Sequence, residues 1–241
     1  VSRSEECDTP QRPKRTRRDW IASLSALTVG LAVIVFLTRY NAQSYSVWSN
    51  PAAPSYRVWE EYLLVNIGLL LFPPLLLILV GLRENASDYG FQPPAAGSSR
   101  IAWLFFLAMV PVMLIASRSP QFYHYYPIQP QAGQSWSYLL YYEISYGFYM
   151  FAWEFFYRGF LTFGLARAFG FPAAILLQAV GFGIMHIGKP PLEVISSFPG
   201  GLIMGWLAVR SRSFLPCFAL HWSVALAFDL LAIHARPGGI F

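Results

Sequence analysis

The sequence predicts an all-α fold: a polytopic transmembrane helical bundle of about seven to eight helices. Three observations predict it. Of 241 residues, 56% are hydrophobic and only 12% charged, where soluble domains carry roughly a quarter charged residues. The mean hydropathy is +0.44, with 17% aromatic residues. The apolar residues also fall into runs of membrane-span length, each needing about 20 residues, separated by short charged segments.

Run length places seven helices at about 20–38, 61–82, 101–117, 138–166, 172–188, 193–209 and 214–233. The first run, from Trp20 to Leu37, is long for a signal-peptide core and lacks a small-residue cleavage site, so it reads as a retained helix. Pro73-Pro74 inside the second predicts a kink. The third and fifth are short, and the fourth exceeds a span. Phe169-Gly170-Phe171-Pro172 predicts a tight turn between the fourth and fifth. The outer loop from Arg118 to about Ser137 is rich in aromatic residues and proline, and reads as an interfacial belt or as a lip over a substrate entrance. Three regions follow: a basic tail at 1–19, N-terminal membrane helices with an outer loop at 20–137, and a helical core at 138–241.

The net charge of +5 does not point to nucleic acid. Arg3, Arg12, Lys14, Arg15, Arg17 and Arg18 precede the first apolar run, as in a cytoplasmic polybasic anchor. Arg83, Arg100, Arg167, Arg210 and Arg212 lie in segments on the same side. Arg39, Arg57, Arg118, Lys189 and Arg236 lie in the opposite segments. The bias places the N-terminus in the cytoplasm. Cys7 and Cys217 form no disulfide framework, and neither sits beside a His or a second Cys in sequence.

Ionisable groups in a bilayer are costly and mark function or pairing. Glu143, Glu154, Arg158, Asp229, His186 and His221 fall inside apolar runs, all in the last four helices. Glu154 and Arg158 are spaced i, i+4 and share a helix face. Glu154 and His186 each lie about 15 residues from the predicted turn, so both reach a depth of roughly 23 Å on antiparallel neighbours. His221 reaches only roughly 13 Å past the next turn. A carboxylate and an imidazole around water suit hydrolysis, a second His can stabilise an oxyanion, and the same three residues could hold zinc. On the residues alone, hydrolysis, metal transport and proton-coupled transport stay comparable. Glu193 reads as a helix N-terminal acid or as a pocket residue near His186. Lys189 reads as a snorkelling side chain, His124 and His234 as solvated loop residues, and Gly200, Gly201 and Gly205 as close-packing positions.

Three motifs resemble the CPBP (CAAX prenyl protease, or Abi) family of intramembrane proteases. They are Trp153-Glu154-Phe155-Phe156-Tyr157-Arg158-Gly159-Phe160, then Phe182-Gly183-Ile184-Met185-His186, then His221-Trp222 at the end of the segment from Arg210. The resemblance covers about residues 138–234 and implies an intramembrane endopeptidase. It implies water activated by the first of two glutamates and His186, His221 in the oxyanion site, and the second glutamate, Glu154, with Arg158 as bracing groups. With the first glutamate replaced here, the expectation is that Glu154 and His186 activate water, His221 stabilises the oxyanion and Arg158 orients Glu154. A divalent metal such as zinc would use Glu154, His186 and His221, and whether the family uses one is unsettled. Two positions depart: Trp153 stands for the first of two glutamates, and Ala225 for a polar residue four after His221. Glu143 and Asp229 are the candidates for filling those gaps.

The expected protein is a multi-pass endopeptidase of the cytoplasmic membrane, prokaryotic by its compactness. It acts on a membrane-anchored protein or peptide: a prenylated CAAX protein, a bacteriocin-like peptide or a sorted surface protein. The alternative is a catalytically lapsed membrane scaffold or binding protein with the same fold.

Overall fold

The computed structural model describes residues 15–48 and 56–237, with side chains left undescribed at 43–48. Most of the basic tail, including Cys7, lies outside the described residues. Nine α-helices occur in chain order among them, and no strand: α1 (Arg17–Trp48), α2 (Tyr56–Leu76), α3 (Ser98–Ala116), α4 (Pro120–Tyr123), α5 (Trp136–Glu154), α6 (Thr162–Phe169), α7 (Phe171–Ile184), α8 (Pro191–Ser211) and α9 (Leu215–Ala235). The predicted long helices all form. The first starts within the basic segment, at Arg17, and runs about three turns further than its apolar run.

Among the described residues, five helices are long and apolar enough to cross a membrane: α1, α2, α3, α8 and α9. The outward faces of α1, α2, α3 and α8 are apolar, with Leu64 76% and Ile115 73% exposed. Water would penalise such faces, whereas acyl chains match them. The other two predicted spans differ from a simple crossing. The fourth is α5 and α6 joined without a break by a π-helical segment, Phe155–Leu161. It forms the centre of the bundle, where Phe155, Phe156, Tyr157 and Phe160 are fully buried. The fifth, α7, has 14 residues, fewer than the roughly 20 of a full span.

Local chemistry explains the boundaries. Pro73 and Pro74 lack N–H donors and crowd the preceding turn. Just beyond them α2 widens into a π-helical segment, Leu77–Gly81. The predicted turn after α6 forms at Gly170, whose φ of 81° is open to glycine without strain. Proline in the first turn of α7 then starts the next helix.

Aromatic rings at helical spacing fix α5. Tyr142 stacks on Tyr146 at 5.3 Å and Tyr146 on Tyr149 at 5.6 Å. Trp153 continues the ladder 5.5 Å from Tyr149, and Tyr157 extends it at 5.1 Å. From α2, Trp59 packs on Tyr142 and donates its indole N–H to Ser145 Oγ at 2.9 Å. On the other side Trp222 of α9 donates to the Glu143 carbonyl at 3.2 Å. Gly147 permits that approach, since a Cβ there would lie 2.8 Å from the Trp222 ring.

At the end expected to face the cytoplasm, Glu84 gathers α1, α6 and the segment after α2. Arg167 bonds its carboxylate, Tyr89 Oη donates at 2.7 Å, and Arg18 lies 3.3 Å away. Burial alone would raise the Glu84 carboxyl. The hydrogen bonds from Arg167 and Tyr89 and the two guanidinium charges outweigh it and hold the group below its ordinary value. The clamp therefore adds stability above the ordinary carboxylate range and loses it as pH falls through the lowered value. Thermal unfolding in detergent should show an acid-side drop in Tm that Glu84→Gln largely removes.

The glycines of α8 divide. A Cβ on Gly201 would lie 3.0 Å from Ala179 Cβ, and one on Gly205 would lie 2.6 Å from Gln178 Nε2 and 3.0 Å from Ile175. Gln178 cannot move aside freely, because its amide donates to the Gly201 carbonyl at 2.8 Å. Gly200 meets nothing within 4 Å, so the close-packing expectation holds for two of the three. Gly205→Ala should destabilise the protein by about 1–3 kcal/mol. Gly200→Ala should be neutral or stabilising by up to about 1 kcal/mol. Paired thermal melts in one detergent test both.

Candidate active site

Glu154 ends α5, and Arg158 follows one turn later in the π-helical segment. His186 lies in the turn after α7, and His221 in the second turn of α9. Such wide turns recur at functional sites because they re-aim side chains within a helix. Here Thr162 Oγ1 bonds the Tyr157 carbonyl, five residues back, at 2.8 Å.

The closest contact joins residues 67 apart in sequence: His221 Nδ1 donates to Glu154 Oε1 at 2.6 Å. The other carboxylate oxygen, Oε2, lies 3.3 Å from Arg158 Nε. Glu154 and Arg158 are both fully buried. The Arg158 guanidinium lies 4.1 Å above the Phe182 ring, and among the described residues its nitrogens make no well-formed hydrogen bond. Charge balance with Glu154 and the electron-rich ring face therefore hold it.

Phe182 is the hub. Its ring centre lies 4.4 Å from that of His186 and 6.0 Å from that of His221. His186 is turned from its own helix: Nδ1–H donates to the Phe182 carbonyl at 2.8 Å. A carbonyl only accepts, so the proton sits on Nδ1 and the Nε2 lone pair is free. Nε2 faces Glu193 Oε1 at 4.0 Å.

The expected meeting of Glu154 and His186 around one water takes another form. Glu154 turns to His221 and Arg158, and His186 turns to Glu193. The depth mismatch expected for His221 closes. Seven residues of wider-wound helix lie between Glu154 and α6, so a straight α-helical count does not apply to that stretch. Trp153 occupies its place in the aromatic ladder, its ring 6.0 Å from His186. Glu143 and Asp229 do not join the site. They face each other between α5 and α9 beside Tyr142, and among the described residues their carboxyl oxygens make no well-formed hydrogen bond.

Glu193 belongs to a polar group that the linear pattern only hinted at. Lys189 Nζ donates to Glu193 Oε1 at 2.7 Å and lies 5.8 Å from the Tyr126 ring centre. Lys189 thus bonds Glu193 and the Tyr126 hydroxyl. Tyr126, from the aromatic loop before α5, donates its hydroxyl to the same carboxylate at 2.7 Å. Arg236 ties that loop down by donating to the Tyr126 carbonyl at 3.0 Å. The i, i+4 spacing of Lys189 and Glu193 was a usable signal; nothing local marked Tyr126.

The three donors that zinc would need do not converge. Glu154 and His221 bond directly to each other, and His186 Nε2 points to Glu193. No group of three or more His, Cys, Asp or Glu side chains among the described residues is arranged to hold a metal ion.

The fold and site define a polytopic helical membrane protein with a buried acid–base cluster in its C-terminal half. Residues 134–227 match the family model of type II CAAX prenyl endopeptidase Rce1-like proteins. The matched region overlaps the one whose motifs resemble the same family. No curated protein and no solved structure matches the chain significantly.

Breaking a buried ion pair leaves an uncompensated charge. Arg158→Met should destabilise the protein by about 3–5 kcal/mol. Adding Glu154→Gln should restore part of the loss, so the double variant falls short of the summed single effects. Thermal melts of the four proteins in one detergent complete the cycle.

Proposed function

We propose that the protein is an intramembrane endopeptidase that hydrolyses a peptide bond in a membrane-anchored, prenylated protein or peptide. The single observation that carries this reading is the 2.6 Å bond between Glu154 and His221. It joins the first and third motifs in the segment that matches the endopeptidase family.

The catalytic residues of this reading are His186 and His221, with Glu154 and Arg158 positioning His221. His186 Nε2 accepts a proton from water as the water oxygen attacks the substrate carbonyl. Its Nδ1–H bond to the Phe182 carbonyl keeps that lone pair available. His221 gives Nδ1–H to Glu154. As an imidazolium it offers Nε2–H to the oxyanion that develops on the carbonyl oxygen. Glu154 balances that charge, and Arg158 holds Glu154. The carbon–nitrogen bond then breaks, and the departing amine takes the proton from His186. Exposure follows the roles: His221 is 21% exposed, and Glu154 and Arg158 are closed off at 0%. Glu154 and Arg158 therefore act through His221 rather than on substrate.

The charge bias supports an orientation with the start of α1 in the cytoplasm. The apolar faces exposed by α3 and α8, which pack against the His221 helix α9, support a site next to lipid, where a prenyl anchor partitions.

A farnesylated peptide ending in a CAAX sequence, incubated with the purified protein and followed by mass spectrometry, tests the reading. The wild type should release a C-terminal fragment. His186→Ala should lower the rate by about 100-fold or more. His221→Ala should do the same through loss of oxyanion stabilisation, worth about 100–1,000-fold. Unchanged processing by Glu154→Ala, His186→Ala and His221→Ala would remove the assignment.

A further inference from the structure

We propose that Glu193 is a further catalytic residue: with His186 it binds the attacking water, the task that a tryptophan at position 153 cannot perform. This rests on the endopeptidase reading above.

Access comes first. A group that handles water must be reachable by it. Glu154 is fully buried, with Oε1 given to His221 and Oε2 beside Arg158. The Glu193 side chain is 20% exposed and His186 6%. Glu193 is the carboxylate that lies against His186.

The spacing comes second. His186 Nε2 and Glu193 Oε1 are 4.0 Å apart, too far for a direct hydrogen bond. Two hydrogen bonds of about 2.8 Å meeting on one oxygen at about 90–100° span about 4.0–4.3 Å. One water therefore fits between them, giving one O–H to each acceptor. Both its hydrogens are then held by protein, and a lone pair is left for the carbonyl carbon. His186 takes one proton as the carbon–oxygen bond forms. Glu193 keeps its hydrogen bond to the bound oxygen and offsets the imidazolium charge. The proton on His186 leaves with the amine when the carbon–nitrogen bond breaks, so atoms and charge balance.

Positioning comes third. Glu193 does not swing freely: Lys189 Nζ and Tyr126 Oη each donate to it at 2.7 Å. Glu193 starts α8, and Tyr126 comes from the loop before α5, so the carboxylate is fixed from two elements. Trp153 fills the remaining side of His186 with an aromatic ring.

The test uses the purified full chain and the farnesylated CAAX peptide. Glu193→Gln, which keeps the size and one acceptor oxygen but removes the charge, should lower kcat at least about 100-fold with KM within about threefold. Glu193→Asp keeps the charge for Lys189 but withdraws it by one methylene, and should lose activity similarly. It decides the matter if the Gln variant does not fold. Lys189→Met removes one of the two donors that position Glu193 and should cost less activity than Glu193→Gln, because Tyr126 still holds the carboxylate. Wild-type cleavage with full activity in both Glu193 variants would overturn the role of Glu193 and leave the endopeptidase standing. Losses in both Glu193 variants that follow only a lowered Tm, with kcat recovered at a temperature where the variants stay folded, would make Glu193 a structural partner and overturn the proposal too. Absence of wild-type cleavage would overturn both readings.

Discussion

The site half of the molecule is organised by one buried contact set, Glu154 between His221 and Arg158. A lone carboxylate or guanidinium is costly in a lipid-embedded core. Once α5 carries Glu154 inward, Arg158 must follow it closely, and α9 must bring an imidazole to the other oxygen. The π-helical segment lies where this demand falls. Phe182 completes the arrangement without a polar atom of its side chain: its ring face takes the Arg158 charge, and its backbone carbonyl fixes the His186 tautomer.

Trp153 shows two requirements meeting at one position. It continues the Tyr142, Tyr146, Tyr149 ladder that binds α5 to α2, so it contributes packing where a second carboxylate would contribute chemistry. A carboxylate there would sit among aromatic rings. The carboxylate beside His186 comes instead from the first turn of α8, which lies nearer the protein surface. Packing and water access are thus assigned to different helices.

The two ends of the bundle carry polar groups of different kinds. At the Glu84 end, a carboxylate with two arginines and a tyrosine ties α1 to α6 and to the segment after α2. There Glu84 is paired with both Arg167 and Arg18. At the Tyr126 end, the aromatic loop reaches over the turn between α7 and α8. Tyr126 bonds the Glu193 carboxylate and Arg236 anchors the loop, so this loop does more than line an interface. Between the ends, Glu143 and Asp229 face each other away from both. Their depth on α5 and α9 keeps them from standing in for the missing polar groups near His221.

By itself the sequence determined the fold class and the set of ionisable residues that the membrane core must accommodate. Both follow from local quantities: run length against bilayer thickness, proline and glycine at turns, and the cost of charge in lipid. The tertiary structure alone decided which of those residues meet. The pairing of Glu154 with His221 depends on how α9 docks against a π-widened helix, and no periodicity records that. The facing of His186 to Glu193, and the arrival of Tyr126 from a loop more than sixty residues away, depend on how a short turn folds back. Side-chain direction in turns is set by the surrounding packing, not by the residues of the turn.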